Sequence, residues 1–109
     1  MIRQECPSYP ISIFVAGSAK EAGLIVRGYC DDHGFCVTVT ETRYVYTGGF
    51  EFGVIVGLIN YPRFPLTPAE LWAHAEKIGA LLCRRLQQES YTIQAPDRTV
   101  WFSHREQDQ

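Results

Sequence analysis

The sequence predicts an α+β domain: two helices packed on one face of an antiparallel sheet, in the order β-α-β-β-α-β with one further β at the end. Three observations carry this. Two stretches repeat apolar residues at spacings of three and four. Several shorter runs are rich in β-branched and aromatic residues. Turn-forming residues stand at the junctions. The size agrees, because 109 residues suffice for one core and would leave two domains each too small. Hydrophobic residues make up 46% and charged residues 20%, a balance that excludes disorder.

Met1–Tyr9 is a mixed lead-in. Ile11–Ala16 (ISIFVA) reads as a short buried strand ended by Gly17. Ser18 and Glu21 have capping-box spacing, the hydroxyl accepting from the Glu21 amide and the carboxylate returning to the Ser18 amide. Ala22, Ile25, Val26, Tyr29, Cys30 and His33 hold the helical spacing, and Gly34 suits a left-handed helix end. A helix over Ala19–His33 follows. Gly23 and Gly28 weaken it by about 1 kcal/mol each relative to alanine and mark close approach to the sheet.

Phe35–Thr47 (FCVTVTETRYVYT) is a strand by composition. Gly48-Gly49 reads as a two-residue hairpin turn with positive φ at both positions, and Phe50–Asn60 returns. Tyr61–Leu66 is a loop stiffened by two prolines. Thr67, Pro68 and Glu70 form a second capping box with proline at the first helical position, and Leu66 with Leu71 has hydrophobic-staple spacing. Leu71, Ala75, Ile78, Leu82 and Leu86 make one stripe, so the second helix runs to about Gln88. Tyr91–Ala95 is a strand, Pro96-Asp97-Arg98 a turn and Thr99–Ser103 a fifth strand. Residues 1–103 form the domain and His104–Gln109 a frayed tail.

This is the split βαβ order of a ferredoxin-like sandwich, an architecture that carries no function by itself. Right-handed crossovers give the strand order 4-1-3-2.

The hairpin turn fixes the faces. With Gly48-Gly49 as the loop, Thr47 meets Phe50 and Val37 meets Asn60. Side chains alternate between faces. Val37, Val39, Glu41, Arg43 and Val45 share one face with Phe50, Phe52, Val54, Val56 and Leu58, and this more apolar face takes the helices. A strand of eleven residues spans about 37 Å and a helix of fifteen about 22 Å. The hairpin tip therefore projects, carrying Tyr44, Val45, Tyr46, Phe50 and Phe52. The open face shows Phe14, Thr40, Tyr44, Ile55 and Ile59, with Gly53 and Gly57 as flat gaps where a ligand or another backbone would approach.

Chemical motifs are sparse. There is no phosphate-binding glycine loop, no G-x-S-x-G elbow and no paired C-x-x-C. Cys30-Asp31-Asp32-His33-Gly34-Phe35-Cys36 is the densest set of metal-ligand residue types, at a spacing that suits no standard zinc site. No catalytic residue, metal or cofactor is expected. The RNA-recognition run is missing, and Glu51 stands where a base-binding strand would favour a cation. With a formal charge of -2, nucleic acid is an unlikely partner. No apolar run is long enough to span a membrane. No leader pattern is visible, which favours the cytoplasm and free thiols at Cys6, Cys30, Cys36 and Cys83.

These readings lead to an expectation of a non-enzymatic interaction domain of the small acidic kind common in phages and mobile elements. It would self-associate, as a homodimer, through Phe14, Tyr44, Val45, Tyr46, Phe50, Phe52 and Ile55, because uncovered aromatic clusters mark docking surfaces. Tyr61 and Arg63, on the stiffened loop, would hold a protein partner or ligand. Phe64 and Leu66 would seal the end of the core. The alternative is a small-molecule-binding protein or small enzyme, its pocket at the dimer cleft or the Asn60–Leu66 loop.

Overall fold

A computed structural model describes residues 1–105. The fold is an open five-stranded antiparallel sheet with two helices on one face, a ferredoxin-like α+β sandwich with an added edge strand. The elements are β1 (Ile11–Ala16), α1 (Ala19–His33), β2 (Thr38–Tyr46), β3 (Gly49–Leu58), α2 (Pro68–Arg85), β4 (Ser90–Gln94) and β5 (Thr99–Ser103). Their spatial order is β2-β3-β1-β4-β5, which contains the expected 4-1-3-2 arrangement.

The helix ends follow their capping chemistry. Ser18 Oγ accepts from the Glu21 amide, but among the described residues the Glu21 carboxylate does not return to the Ser18 amide, so only half of the expected box forms; Gly34 closes α1 at φ 61° in the left-handed region. Thr67 and Glu70 form the full reciprocal box at the start of α2. α1 buries Ala22, Ile25, Val26 and Tyr29, and α2 buries Leu71, Trp72, Ala75, Ile78, Leu82 and Cys83. These meet Ile11, Ile13, Val15, Val54, Val56, Leu58 and Ile93 from the sheet. Alternation decides that set: odd-numbered residues of β1 point to the helices and even-numbered ones to the open face.

Several expectations need correction. The hairpin loop is Thr47-Gly48, because Tyr46 pairs with Gly49. Only Gly48 takes a positive φ, 85°, so a turn needing two such residues is not formed. The register therefore moves by two, and β2 starts at Thr38 rather than at Phe35. A shift of two preserves the faces, so Val39 meets Val56 and Val45 meets Phe50 on the helix side as expected. Gly23 and Gly28 do not approach the sheet; nothing lies within 4 Å of the place a Cβ would occupy. α2 stops at Arg85 rather than near Gln88, since Gln87 turns the chain at φ 57°.

The hairpin does outrun its roof. The molecule measures 51 × 29 × 24 Å, and Val45 and Phe52 at the tip are 79% and 67% exposed. Phe50 meets Phe52 edge-on, and the Arg43 guanidinium sits 5.4 Å from the Phe50 ring centre. Tyr46 and Phe50 are exposed too. No helix among the described residues is long and apolar enough to cross a membrane.

At the opposite end, Asn60 organises the loop that follows β3. Its Nδ2 donates to the Pro7 carbonyl at 2.9 Å and its Oδ1 accepts from the Leu66 amide at 2.8 Å. Leu66 packs on the core, whereas Phe64 is exposed beside Tyr61 rather than sealing anything. Tyr61 receives a weak bond from the Cys36 thiol at 3.3 Å, and Arg63 stands in solvent.

Candidate active site on the open sheet face

The open face is assembled from three strand pairings. Tyr44 lies opposite Glu51 across β2 and β3. Ala16 and Phe14 lie opposite Gly53 and Ile55 across β1 and β3. Phe14 also lies opposite Thr92 across β1 and β4, and Thr92 opposite Trp101 of β5. All of these side chains project away from the helices.

Gly53 and Gly57 are not gaps awaiting a ligand. A Cβ on Gly53 would stand 2.3 Å from Tyr44 Cε2 and 2.7 Å from the Val15 carbonyl oxygen, and one on Gly57 would stand 2.5 Å from Thr38 Oγ1. The missing side chains make room for the chain's own cross-strand neighbours. The Tyr44 ring lies flat across Gly53, and its hydroxyl donates to the Val54 carbonyl. Burial raises the Tyr44 pKa above the ordinary phenol value; the Val15 backbone opposes that rise and the Glu51 charge adds to it. Tyr44 is thus a neutral, pinned ring at physiological pH. It presents a face, not a base.

A cleft of about 230 Å³ opens beside this ring. Phe14, Ala16 and Tyr44 form its floor, and Glu51, Ser90, Thr92, Glu89 and Arg105 its polar rim. The tight turn at Gln87, whose amide donates to the Arg84 carbonyl, brings Glu89 and Ser90 to the rim. The His104 amide donates to the Glu89 carbonyl at 2.8 Å. Arg105 Nε then sits 3.1 Å from Glu89 Oε2. That pair neutralises itself. Among the described residues no cation pairs with Glu51, so the cleft keeps one uncompensated carboxylate over two aromatic rings. Such a site favours a cation with an apolar body, because ring faces and carboxylates both attract positive charge.

Of the residues expected to bind, Phe14 and Tyr44 enter this cleft and Ile55 lies beside Phe14. Val45, Phe50 and Phe52 stand on the opposite face of the hairpin, and Tyr46 stands at its tip. Tyr61 and Arg63 belong to the far end of the sheet. Glu51, Glu89, Ser90, Thr92 and Arg105 were not anticipated as a group. One signal was present: Glu51 is the single charge among the strand residues of this face.

The sequence matches no protein-family model and no curated protein. The fold, however, is similar to two solved structures of phage SAM lyase. One, in the apo state, has a TM-score of 0.76 at 16% identity, covering 87% of this chain and 88% of the other. The second, in complex with S-methyl-5'-thioadenosine, has a TM-score of 0.75 at 15% identity, covering 94% and 95%. Both of these neighbours are enzymes, which conflicts with the non-enzymatic interaction domain expected above. The alternative, a small enzyme, fits better.

Proposed function

We propose that the protein is an enzyme acting on S-adenosylmethionine, cleaving it to S-methyl-5'-thioadenosine, with the open-face cleft as its site. The observation that carries this is the unpaired Glu51 carboxylate beside the Phe14 and Tyr44 rings, in a fold whose neighbours are SAM lyases. The substrate is a sulfonium that also bears an α-ammonium. It suits a cleft with one uncompensated negative charge.

The reaction balances without a protein nucleophile. An oxygen of the substrate's own carboxylate attacks its Cγ, a C–O bond forms and the Cγ–S bond breaks. The electron pair leaves with sulfur as a neutral thioether, and the amino-acid part closes to a five-membered lactone. No water is consumed and no proton need move. The protein's part is positioning and exclusion of water. In this reading Glu51 holds the α-ammonium, the rings of Phe14 and Tyr44 carry the apolar body, and the Arg105–Glu89 pair closes the rim. Such chemistry needs no triad and no acid/base pair, in keeping with the lack of catalytic motifs.

The cleft is smaller than the 300–1,000 Å³ usual for ligands of this size, so part of the substrate would lie outside it. A second copy of the chain supplies the missing wall in this reading, and the exposed hairpin tip is the natural contact. We place the enzyme in the cytoplasm, where this substrate is made and where four free thiols are stable.

The test is to incubate the purified protein with S-adenosylmethionine and quantify S-methyl-5'-thioadenosine by chromatography. The product should accumulate, and Glu51→Gln should slow it about 10- to 100-fold, the worth of one charged hydrogen bond. Substrate recovered intact, or a Glu51→Gln enzyme of undiminished rate, would count against the proposal.

A further inference from the structure

Two helices cannot roof five strands. α2 lies over β1 and β4, and α1 over β2 and β3, which leaves β5 at the edge outside the roof. Between the last turns of α2 and the helix-side face of β5 runs a groove of about 520 Å³, larger than the cleft on the open face and within the usual range for ligand sites. Its floor is Ala80, the Cys83 thiol and the rings of Tyr91 and Phe102, which stack at 4.8 Å with planes 11° apart. Tyr91 is seated firmly, because Gly79 leaves it the space a Cβ would occupy 2.5 Å from its Cε2.

The rim at one end holds the Arg84 guanidinium and the His104 imidazole. Among the described residues no carboxylate pairs with the Arg84 guanidinium. The helix end does not need it either: the carbonyls of Leu82, Cys83 and Arg84 accept from the amides of Leu86, Gln88 and Gln87, which blunts the negative end of the dipole. Glu76, the nearest acidic side chain on α2, stands two turns earlier, about 12 Å along the axis, at the other end of Tyr91. The groove thus has an aromatic wall and, at one end, a guanidinium that no carboxylate among the described residues engages.

We infer that this groove is a second binding site, for a small planar aromatic anion whose ring packs against the stacked Tyr91–Phe102 pair and whose carboxylate meets Arg84. The inference is independent of the reaction proposed above. Gln88 and Tyr91 line both this groove and the open-face cleft, so an occupant here sits one strand from the cleft.

The test uses 2-naphthoate as the probe in an amide NMR titration of the whole chain. Its neutral counterpart, 2-naphthalenemethanol, is the control. The naphthoate should shift the Tyr91, Phe102 and His104 resonances saturably. The exposed substitution Arg84→Gln, its fold confirmed by an otherwise superimposable spectrum, should weaken binding about tenfold, and the alcohol should bind correspondingly less well. The site is refuted by an absence of saturable shifts at millimolar probe, by equal binding to Arg84→Gln, by equal binding of the alcohol, or by shifts centred on Phe14 and Glu51.

Discussion

At the scale of single residues, the floor of the cleft depends on one missing side chain. Tyr44 lies over Gly53, and the second obstacle to a Cβ there is backbone, the Val15 carbonyl, which cannot swing aside. Gly53→Ala should therefore cost about 1–3 kcal/mol in chemical denaturation and should disturb activity by lifting the Tyr44 ring. Tyr44→Phe, which keeps the ring and removes only the bond to Val54, should cost about 1 kcal/mol and leave most of the activity. His74 gives a pH signature far from the cleft. Tyr29 Oη lies 2.6 Å from His74 Nδ1. Burial is the first cause that holds the His74 pKa below its ordinary value, followed by the charges of His33 and Lys77. The folded state thus binds fewer protons than the unfolded one, and stability falls as pH drops through about 6.5. Thermal melts between pH 7.5 and pH 5 (about the unfolded titration range) should show that fall, and His74→Gln should flatten it.

At the scale of elements, capping and alternation did most of the work, and they are the features that a sequence displays openly. Ser18 with Gly34 marks both ends of α1, and Thr67, Pro68 and Glu70 mark the start of α2. Thr67→Ala should cost about 1 kcal/mol of stability. Glu70 titrates low because the Thr67 backbone and then its hydroxyl bond the charged carboxylate. Its contribution is present above the unfolded pKa of about 4.3 and fades as pH falls through the lower folded value. The melting-point deficit of Glu70→Ala should therefore be clear at neutral pH and shrink in acid. The hairpin shows where such reading fails. Two adjacent glycines suggested one turn, the chain uses Thr47-Gly48, and only the evenness of the resulting slip kept every side chain on its expected face. The turn after α2 was missed because Gln87, not glycine, takes the left-handed conformation there. That turn delivers Glu89 and Ser90 to the cleft.

At the scale of the whole molecule, the roof leaves three surfaces: the hairpin tip, the open face and the groove under β5. The projecting tip was legible from strand and helix lengths alone. The cleft was not, because Glu51, Thr92 and Arg105 are far apart in sequence and meet only when β4 inserts beside β1. A reaction in which the substrate supplies its own nucleophile also leaves no motif to find. If the tip joins copies of the chain, Phe52→Lys should lower the mass seen by light scattering during size-exclusion chromatography. It should leave the melting temperature of the protomer unchanged, since Phe52 is solvent-facing. A crystal structure of the protein with S-methyl-5'-thioadenosine decides where the ligand sits. The ligand should lie against the Phe14 and Tyr44 rings within reach of Glu51; a ligand seated elsewhere on the chain, with that cleft filled only by solvent, would overturn the proposed site.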